Sequence, residues 1–219
     1  MSGDPVARVY DRVARVYDLY DAPMDLMGGA RRRRRVLARA SGDVLEIGIG
    51  TARNLEHYGR GVRVTGVDVS AGMLARAALR LPSVSFPVSL VRGDAQRLPF
   101  PSASFDTVAA TCVFCSVVDP IAGLREAARV VRGDGQVLLL EHVRPRNRVL
   151  GSLFDRLSPL TRRLFGPEIN RRTEDNVVSA GLRVVEVRRD GIWREISAMR
   201  SDADADSRSS GPGTGESRT

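Results

Sequence analysis

The chain of 219 residues contains no lysine, because all 34 of its basic residues are arginines. A phosphate-binding loop of the Gly-Lys-Ser/Thr type is therefore excluded. So complete an absence is typical of codon bias, and arginine content alone does not indicate nucleic-acid binding. The 34 arginines against 26 acids still give a net charge of +8, which favours contact with phosphate-bearing surfaces, either nucleic acid or anionic lipid.

Cysteine and long apolar runs are also scarce. Cys112 and Cys115 are too few and too close for a disulfide scaffold, which agrees with a reducing compartment. The longest uncharged stretch, 107–118, is well short of the roughly 18 to 20 apolar residues that span a bilayer. No basic segment followed by an apolar one opens the chain. We therefore expect a cytoplasmic protein.

The composition, 42% hydrophobic and 27% charged, is typical of a soluble globular protein of one domain with an appendage. We expect three regions: an N-terminal helical lid at 1–40, a main domain at 41–200 and a tail at 201–219. The tail has no large apolar side chain and a net charge of −2, so we expect it to be disordered.

A seven-residue duplication marks the N-terminus, where VARVYDR at 6–12 is followed by VARVYDL at 13–19. Its apolar residues recur at helical spacing and predict one amphipathic helix through Tyr20, which Pro23 ends or kinks. A second helix is predicted over 24–40, through five consecutive arginines at 31–35. These arginines form either a solvated helix face or a contact with an anionic surface.

From Asp43 onward, strand-like apolar runs alternate with helix-like ones, which indicates βαβ units and a parallel sheet covered on both faces. Asp190-Gly191 joins the last two runs and predicts a hairpin. We expect an α/β, Rossmann-like doubly wound fold with a mostly parallel seven-stranded sheet, an antiparallel C-terminal hairpin and the helical lid. The predicted strands are 44–47, 62–67, 88–92, 105–110, 136–142, 182–189 and 192–199, and the predicted helices between them are 53–58, 71–80 and 121–131.

Ligands bind beyond the carboxyl ends of strands in such sheets, so the residues that follow each strand carry the chemistry. Gly48 and Gly50 follow the first strand and allow a tight turn close to a ligand. Arg53 stands where a dinucleotide site needs a third glycine, which argues against a nicotinamide or flavin cofactor. Asp68 ends the second strand and can accept both hydroxyls of a ribose, which indicates an adenosine-type ligand.

The third strand is followed by Asp94, which can accept a hydrogen bond from an adenine amino group. Met73 and Leu98 offer apolar faces for the adenine ring. With Glu46 in the first strand, three acids thus lie at the carboxyl ends of successive strands. We expect Glu46, Asp68 and Asp94 to converge on one ligand.

These motifs together resemble the class I S-adenosylmethionine-dependent methyltransferases over about residues 10–200. Ala52 replaces the usual third glycine of the cofactor loop, a change that we expect to need little extra room, and the turn at 132–135 keeps both of its glycines. The motifs are VLEIGIGT at 44–51, GVDVSAGML at 66–74, GDAQRLPF at 93–100, FDTV at 105–108 and LREAARVV at 124–131.

The resemblance implies S-adenosylmethionine as the cofactor and assigns roles to the residues that match. Backbone groups at Gly48 and Gly50 would hold its aminocarboxypropyl arm, and the charge of Glu46 suits the ammonium and the sulfonium. Asp68 would take the ribose, and Asp94 with the Ala95 amide would take the adenine edge. The other expected cofactor contacts are Thr51, Asn54, Val69, Met73 and Thr111.

Methyl transfer is an in-line displacement at an activated carbon, so alignment can supply much of the rate without a dedicated acid or base. The acceptor-side segments resemble those of phosphatidylethanolamine N-methyltransferases, ubiquinone/menaquinone C-methyltransferases and methyltransferase-like thiol S-methyltransferases. A small or lipidic acceptor is implied, and the basic N-terminus either contacts an anionic membrane or only covers the cofactor. The segments lie at 17–21, 112–120, 139–143 and 169–173.

His142 is a candidate catalytic residue, because at the end of the fifth strand it could take a proton from an acceptor, although a loop role is the alternative. Tyr17, with Tyr20, is a candidate for the acceptor site or for packing within the lid. Cys112 and Cys115 are expected to line the pocket or the core. No metal is expected, because a metal site needs about four ligands.

A second function class is a cofactor-binding, RNA-associated or scaffold protein of the same fold, which the basic charge favours. Ala110-Thr-Cys-Val113 follows the fourth strand, where many nucleic-acid amine methyltransferases carry an Asn-Pro-Pro-Tyr-type tetrapeptide. A nucleic-acid partner is therefore disfavoured. The sequence predicts no oligomeric state.

Overall fold

The computed structural model describes residues 5–26, 28–142 and 173–201. The tail from residue 202, most of the acceptor-side segment 169–173 and the side chain of Tyr20 lie outside the described residues. The predictions made for them stay predictions, as does the division into three regions.

Alternating helices and strands make up the described chain. The helices are α1 (Pro5–Val13), α2 (Tyr17–Leu26), α3 (Gly29–Leu37), α4 (Ala71–Ala78), α5 (Pro120–Val130) and α6 (Thr173–Ser179), with single 3-10 turns at Leu55–His57 and Leu81–Ser83. The strands are β1 (Asp43–Ile47), β2 (Arg63–Asp68), β3 (Val88–Arg92), β4 (Phe105–Thr111), β5 (Val131–His142), β6 (Leu182–Asp190) and β7 (Trp193–Arg200).

The strands form a seven-stranded sheet in the order β3-β2-β1-β4-β5-β7-β6. β1 pairs in parallel with β2 and β4, and β7 pairs antiparallel with both β5 and β6. The strand order reverses between β1 and β4, because β2 and β3 extend the sheet on one side of β1 and β4 and β5 extend it on the other. The loops after β1 and β4 therefore meet at the point where ligands bind in open α/β sheets. The predicted fold class is confirmed.

Both faces of the sheet are buried because neighbouring residues of the central strands pack into different cores. Leu45 belongs to the core covered by α5 and α6, whereas Val44 belongs to the core covered by α3 and α4. This two-sided burial explains why Val44 and Leu45 are both apolar although they are neighbours in β1. It also places α3 in the layer that covers the sheet.

The predicted N-terminal helices are wrong in their bounds. The first is split into α1 and α2 by a turn at 14–16, and α2 continues through Pro23 to Leu26. The second is confined to α3. The split lets each half dock on a different loop of the domain, since Asp11 bonds to Ser70 and Asp18 bonds to Thr51.

The helix predicted at 53–58 is also wrong, since only Leu55–His57 forms a 3-10 turn. The side chains of Asn54 and Tyr58, on either side of this turn, both donate hydrogen bonds to Glu46. The buried carboxylate therefore holds both ends of the segment, and Tyr58 is already extended, with ψ of 145°.

The five consecutive arginines lie in α3, and three of them bind acids of this chain. Arg31 and Arg34 are exposed, whereas Arg32 and Arg33 are buried. Neither predicted alternative, a solvated face or a contact with an anionic surface, describes the three bound arginines, which fasten α3 to α2 and to the β6–β7 hairpin. The pairs are Arg32 with Asp190, Arg33 with Asp25 and Arg35 with Glu195.

Candidate active site

An open cleft lies between the carboxyl ends of the central strands and the N-terminal helices. One side, here the strand wall, consists of Ile47, Gly48, Gly50, Val67, Asp68, Val69, Met73, Gly93, Asp94, Ala95, Gln96 and Thr111. The other side, here the lid wall, consists of Val6, Tyr10 and Tyr17 from α1 and α2 and of Cys112, Val113, Ser116, Val117 and Val118 after β4.

The turn after β1 needs both of its glycines. Gly48 has φ of 65° and Gly50 has φ of 56°, a region that side chains disfavour. A Cβ on Gly48 would also meet Val113 Cγ2 at 2.6 Å. Gly48 N donates to the carbonyl of Val67 at 2.8 Å, which brings the turn against the end of β2. The backbone thus comes close to the cleft, as the sequence predicts.

Asp68 joins two loops of the strand wall. Its Oδ2 accepts a hydrogen bond from Gly50 N at 2.9 Å, and its Oδ1 accepts one from Ser70 N at 2.9 Å. Burial raises the pKa of Asp68, although these backbone donors oppose the shift. The backbone N–H of Val69 also contacts this carboxylate, which lines the cleft.

Asp94 and Ala95 both line the strand wall. The carboxylate of Asp94 accepts a hydrogen bond from Gln96 N at 2.8 Å, which fixes its orientation. Met73 and Val69 line the same wall, as predicted. Leu98 does not, because it is buried in the core.

Glu46 lies behind the strand wall and is fully buried. Its Oε1 accepts a hydrogen bond from Asn54 Nδ2 at 2.8 Å, and its Oε2 accepts one from the Tyr58 hydroxyl at 2.9 Å. Asn54 Nδ2 also lies 2.8 Å from Thr111 Oγ1, which does line the cleft. Glu46 therefore reaches the cleft through Asn54 and Thr111.

Burial raises the pKa of Glu46 to about 7, against the opposing effects of its two hydrogen bonds and of Arg33. The charge of Asp68 raises this pKa further, so the two carboxylates lie close enough to interact. Of the three acids expected to converge, Asp68 and Asp94 line the cleft and Glu46 stands directly behind it.

Three other predicted site residues, Thr51, Asn54 and His142, are not among the residues that line the cleft. Thr51 is buried, and its hydroxyl donates to Asp18 Oδ1 at 2.6 Å, so it holds α2. His142 is half-buried and its ring lies 6.5 Å from that of Trp193, in an edge-to-face arrangement.

The lid wall contains residues that the sequence singled out and residues that it did not. Tyr17 and Cys112 line it, and Cys115 is buried in the core. Tyr10 was predicted only as an apolar helix position, yet its hydroxyl lies 2.7 Å from Ser116 Oγ of the same wall. The duplication is a signal that could have found Tyr10, because Tyr10 and Tyr17 hold the same place in the two copies.

Metal binding and membrane crossing find no support in the parts of the chain that the structure describes. There, no three His, Cys, Asp or Glu side chains gather as a metal site. No helix within those parts is both long and apolar enough to cross a bilayer.

Comparison with known proteins agrees with this geometry. Residues 45–139 match a family described as a methyltransferase domain. The chain is 39% identical over 155 residues to a demethylmenaquinone methyltransferase of Mycolicibacterium vanbaalenii, over 68% of this chain and 65% of the relative. It is 40% identical over 147 residues to a phosphatidylethanolamine N-methyltransferase of Cereibacter sphaeroides, over 65% of this chain and 70% of the relative.

The fold is shared with solved structures at low sequence identity. A SAM-dependent methyltransferase of Thermotoga maritima superposes with a TM-score of 0.68 at 20% identity, over 89% of this chain and 99% of that one. The similarity to this structure shows the fold, and the family follows from the phosphatidylethanolamine N-methyltransferase, which is 40% identical and of which this chain covers 70%.

Proposed function

The chain belongs to the class I S-adenosylmethionine-dependent methyltransferases, and from that premise we propose that it transfers a methyl group from S-adenosylmethionine to a small or lipidic acceptor. The observation that carries the proposal is the strand wall, where Asp68, Asp94 and the Gly48–Gly50 turn face one cleft. The structure spans 65% of the first relative's length, so the activity itself is for experiment to establish.

The residues of the strand wall fit this cofactor. Asp68 has an acceptor position left for a ribose hydroxyl, and Asp94 with Ala95 can bind the adenine edge beside Met73. The Gly48–Gly50 turn leaves space for the aminocarboxypropyl arm. When bound, S-adenosylmethionine supplies a methyl carbon that is already activated, so the chain needs to align and desolvate the reactants.

The lid wall points to an uncharged, apolar acceptor. Among the described residues of this wall, none carries a charge, and Tyr10 and Tyr17 form an edge-to-face pair with centroids 6.0 Å apart. A phosphate or ammonium headgroup would find no opposite charge here, whereas an aromatic ring can pack on the tyrosines. Of the implied acceptors, a quinone precursor therefore fits better than a phospholipid amine or a thiol.

Hydroxyl groups of the lid wall can orient such a ring. Tyr10 and Ser116 already share a hydrogen bond at 2.7 Å, and the pair can accept a further bond from a quinol hydroxyl. Tyr17 is placed to pack against the ring. A catalytic role for His142 would require it to reach the cleft from its place beside Trp193.

Methyl incorporation tests the proposal most directly. The protein is incubated with S-adenosylmethionine labelled in its methyl group and with four acceptors: a prenylated naphthoquinol, phosphatidylethanolamine in mixed micelles, an alkyl thiol and RNA. We expect label in the naphthoquinol, and none with Asp68→Ala. Label in phosphatidylethanolamine or the thiol would overturn the ranking of acceptors, and label in RNA would favour the second function class.

We further propose that the protein acts in the cytoplasm and that its N-terminal segment contacts an anionic lipid surface. Val16, Leu19 and Leu26 are 55%, 78% and 89% exposed on and beside α2. Arg12 and Arg15 are exposed on the same N-terminal segment. Exposed apolar side chains together with arginines are typical of segments that lie in a lipid interface.

Vesicle sedimentation tests this contact. We expect the protein to sediment with phosphatidylglycerol vesicles and to stay in the supernatant with phosphatidylcholine vesicles. Leu19→Asp should abolish the sedimentation. The control is Leu79→Asp at the end of α4, where the residue is 69% exposed. Equal binding by the two variants would contradict a specific contact through α2.

A further inference from the structure

Three aspartates of the N-terminal helices are spaced seven residues apart, at Asp11, Asp18 and Asp25. The first two occupy the same position in the two copies of the duplication. Each follows directly after a residue of α1 or α2 that faces the domain, and for the first two that residue is a tyrosine of the lid wall. The repeated unit is therefore a Tyr-Asp pair.

Asp11 binds the segment that follows β2. Its Oδ1 accepts hydrogen bonds from Ser70 Oγ at 2.5 Å and from Gly72 N at 2.8 Å. Ser70 N donates in turn to Asp68, so a single residue, Ser70, joins α1 to the expected ribose ligand. The hydrogen bond from Ser70 lowers the pKa of Asp11, which keeps the carboxylate ionised.

Asp18 binds the segment that follows β1. Its Oδ1 accepts a hydrogen bond from Thr51 Oγ1 at 2.6 Å, and its Oδ2 accepts one from Arg80 at 2.6 Å. Arg80 also donates to the backbone carbonyl of Thr51. Burial raises the pKa of Asp18, but the bonds from Thr51 and Arg80 together outweigh it and leave the pKa below its usual value.

Asp25 continues the series about two turns further along α2. It pairs with Arg53, two residues beyond Thr51, and with Arg33 of α3. Each of the three aspartates thus binds a residue that is close in sequence to the Gly48–Gly50 turn or to Asp68.

Each Tyr-Asp pair has one side chain in the cleft and the other on a cofactor loop. Neighbouring residues of a helix point about 100° apart, so one turn of helix can present both groups at once. Tyr10 and Tyr17 thus lie in the lid wall while Asp11 and Asp18 are docked on the cofactor loops.

We propose that Asp11 and Asp18 are positioning residues that make the lid wall depend on the cofactor loops, so that cofactor binding precedes assembly of the acceptor site. The inference rests on the proposed function, because it assumes that the strand wall binds S-adenosylmethionine. A cofactor that rigidifies 48–51 and 68–72 lowers the cost of docking both aspartates, and docking in turn places both tyrosines.

Trypsin provides a direct readout, since Arg8, Arg12 and Arg15 are exposed in α1 and in the turn after it. Cleavage within a helix requires local opening, so its rate reports how often the lid undocks. We expect saturating S-adenosylhomocysteine to slow cleavage at these arginines about tenfold in the unaltered protein, a typical size for coupling between two sites. Intact-mass spectrometry follows the loss of the N-terminal peptides.

The variants Asp11→Asn and Asp18→Asn should each lose most of this protection when S-adenosylhomocysteine is still saturating. Thr51→Val should lose less protection than Asp18→Asn, because it leaves the bond from Arg80 to Asp18 in place, and the double variant should lose less than the sum of the two single ones, because both act on the same contact. Asp18→Glu should restore part of the protection. Glu56→Gln is the matched control, since Glu56 is highly exposed nearby and should keep full protection.

Calorimetry with S-adenosylhomocysteine separates the two ways of failing. If the unaltered protein does not bind it, the proposed function is wrong. If it binds but trypsin cuts the lid equally fast with and without it, or if both aspartate variants keep the protection, the coupling is wrong. A melting temperature measured without ligand identifies any variant that has simply lost its fold.

Discussion

The strand wall and the lid wall face each other across one cleft, yet they are built in different ways. The strand wall consists mainly of backbone and acids at the ends of β1, β2 and β3, held by bonds such as that from Gly50 N to Asp68. The lid wall consists of side chains, and its helices are held by carboxylates that reach across to Thr51 and Ser70.

This difference has a consequence for function. The strand wall belongs to the sheet and is present whenever the domain is folded. The lid wall depends on a few charge-assisted hydrogen bonds, each of which contributes on the order of 2 kcal/mol. Local opening should therefore begin at α1 and α2, as expected for segments that must admit a ligand.

The largest effect is expected in the strand wall. Asp68→Ala removes the expected ribose contacts and also the bonds to Gly50 N and Ser70 N that join two loops. We expect affinity for S-adenosylhomocysteine to fall at least about 100-fold, the equivalent of two charge-assisted bonds. Calorimetry measures this, and Asp68→Asn should lose less. An affinity within about threefold of the unaltered protein's would show that Asp68 does not contact the ligand.

An ion pair away from both walls should affect stability and leave binding unchanged. Arg35 donates through Nε to Glu195 Oε2 at 2.7 Å, and the Glu195 side chain is only 8% exposed. Arg35→Ala leaves this carboxylate buried without its cation, and we expect a loss of about 2 kcal/mol in unfolding free energy, reduced because Arg35 is partly exposed. Chemical denaturation measures it.

The control for that prediction is ligand affinity. Arg35→Ala should bind S-adenosylhomocysteine as the unaltered protein does, because α3 covers the sheet and does not line the cleft. A fall in affinity beyond about threefold would show that α3 also supports the site.

Glu46 gives the strand wall a pH dependence that the lid aspartates lack. Burial raises its pKa to about 7 from 4.5, so the folded protein binds more protons than the unfolded chain between these values. The free energy of unfolding therefore falls by on the order of 2 kcal/mol as the pH rises through this window, and it levels off above pH 7. The lowered pKa values of Asp11 and Asp18 act oppositely, and only at more acidic pH.

The measurement is the difference in unfolding free energy between the unaltered protein and Glu46→Gln at pH 5 and pH 7.5. Burial lowers the pKa of His57, so the titration of His57 raises the free energy of unfolding as the pH rises through the same window. Both proteins contain His57, so its contribution cancels when their free energies of unfolding are subtracted. We expect the unaltered protein to lose stability relative to the variant as the pH rises. An equal pH dependence would mean that Glu46 stays ionised throughout.

The same contrast explains which parts the sequence predicts. The order of strands and the positions of Gly48, Asp68 and Asp94 follow from apolar runs and from the residues that end them, because these signals are local. The burial of Glu46 behind Thr111 depends on hydrogen bonds from Asn54 and Tyr58. These bonds hold the segment at 53–58 as a single 3-10 turn, where the sequence predicts a helix.

The lid was predicted less well because its contacts are distant in sequence. The break between α1 and α2 depends on Asp11 and Asp18 docking 59 and 33 residues away, which helical periodicity alone cannot indicate. The arginines of α3 likewise pair with Asp190 and Glu195, far along the chain. Local patterns predict a helix there without predicting which of its charges are buried.

The smallest expected effect concerns Ala52, which follows the Gly48–Gly50 turn. The sequence suggests that alanine needs little extra room here, but the structure shows that its cost is conformational, because Ala52 has φ of 63°. Ala52→Gly should relieve about 1 kcal/mol of backbone strain, partly offset by the loss of a buried methyl group and by the freer unfolded chain. We expect a net gain of at most about 0.5 kcal/mol in unfolding free energy.

Ala103 is the matched control, since it has φ of 53° but is exposed and far from the cleft. Ala103→Gly relieves the same strain without losing a buried methyl group, so its gain should exceed that of Ala52→Gly by about 0.5 kcal/mol. The difference between the two variants measures what the Ala52 methyl group contributes by packing beneath the strand wall. If Ala52→Gly gained as much as Ala103→Gly, that methyl group would stabilise nothing, and the family's usual glycine would fit this loop at no cost.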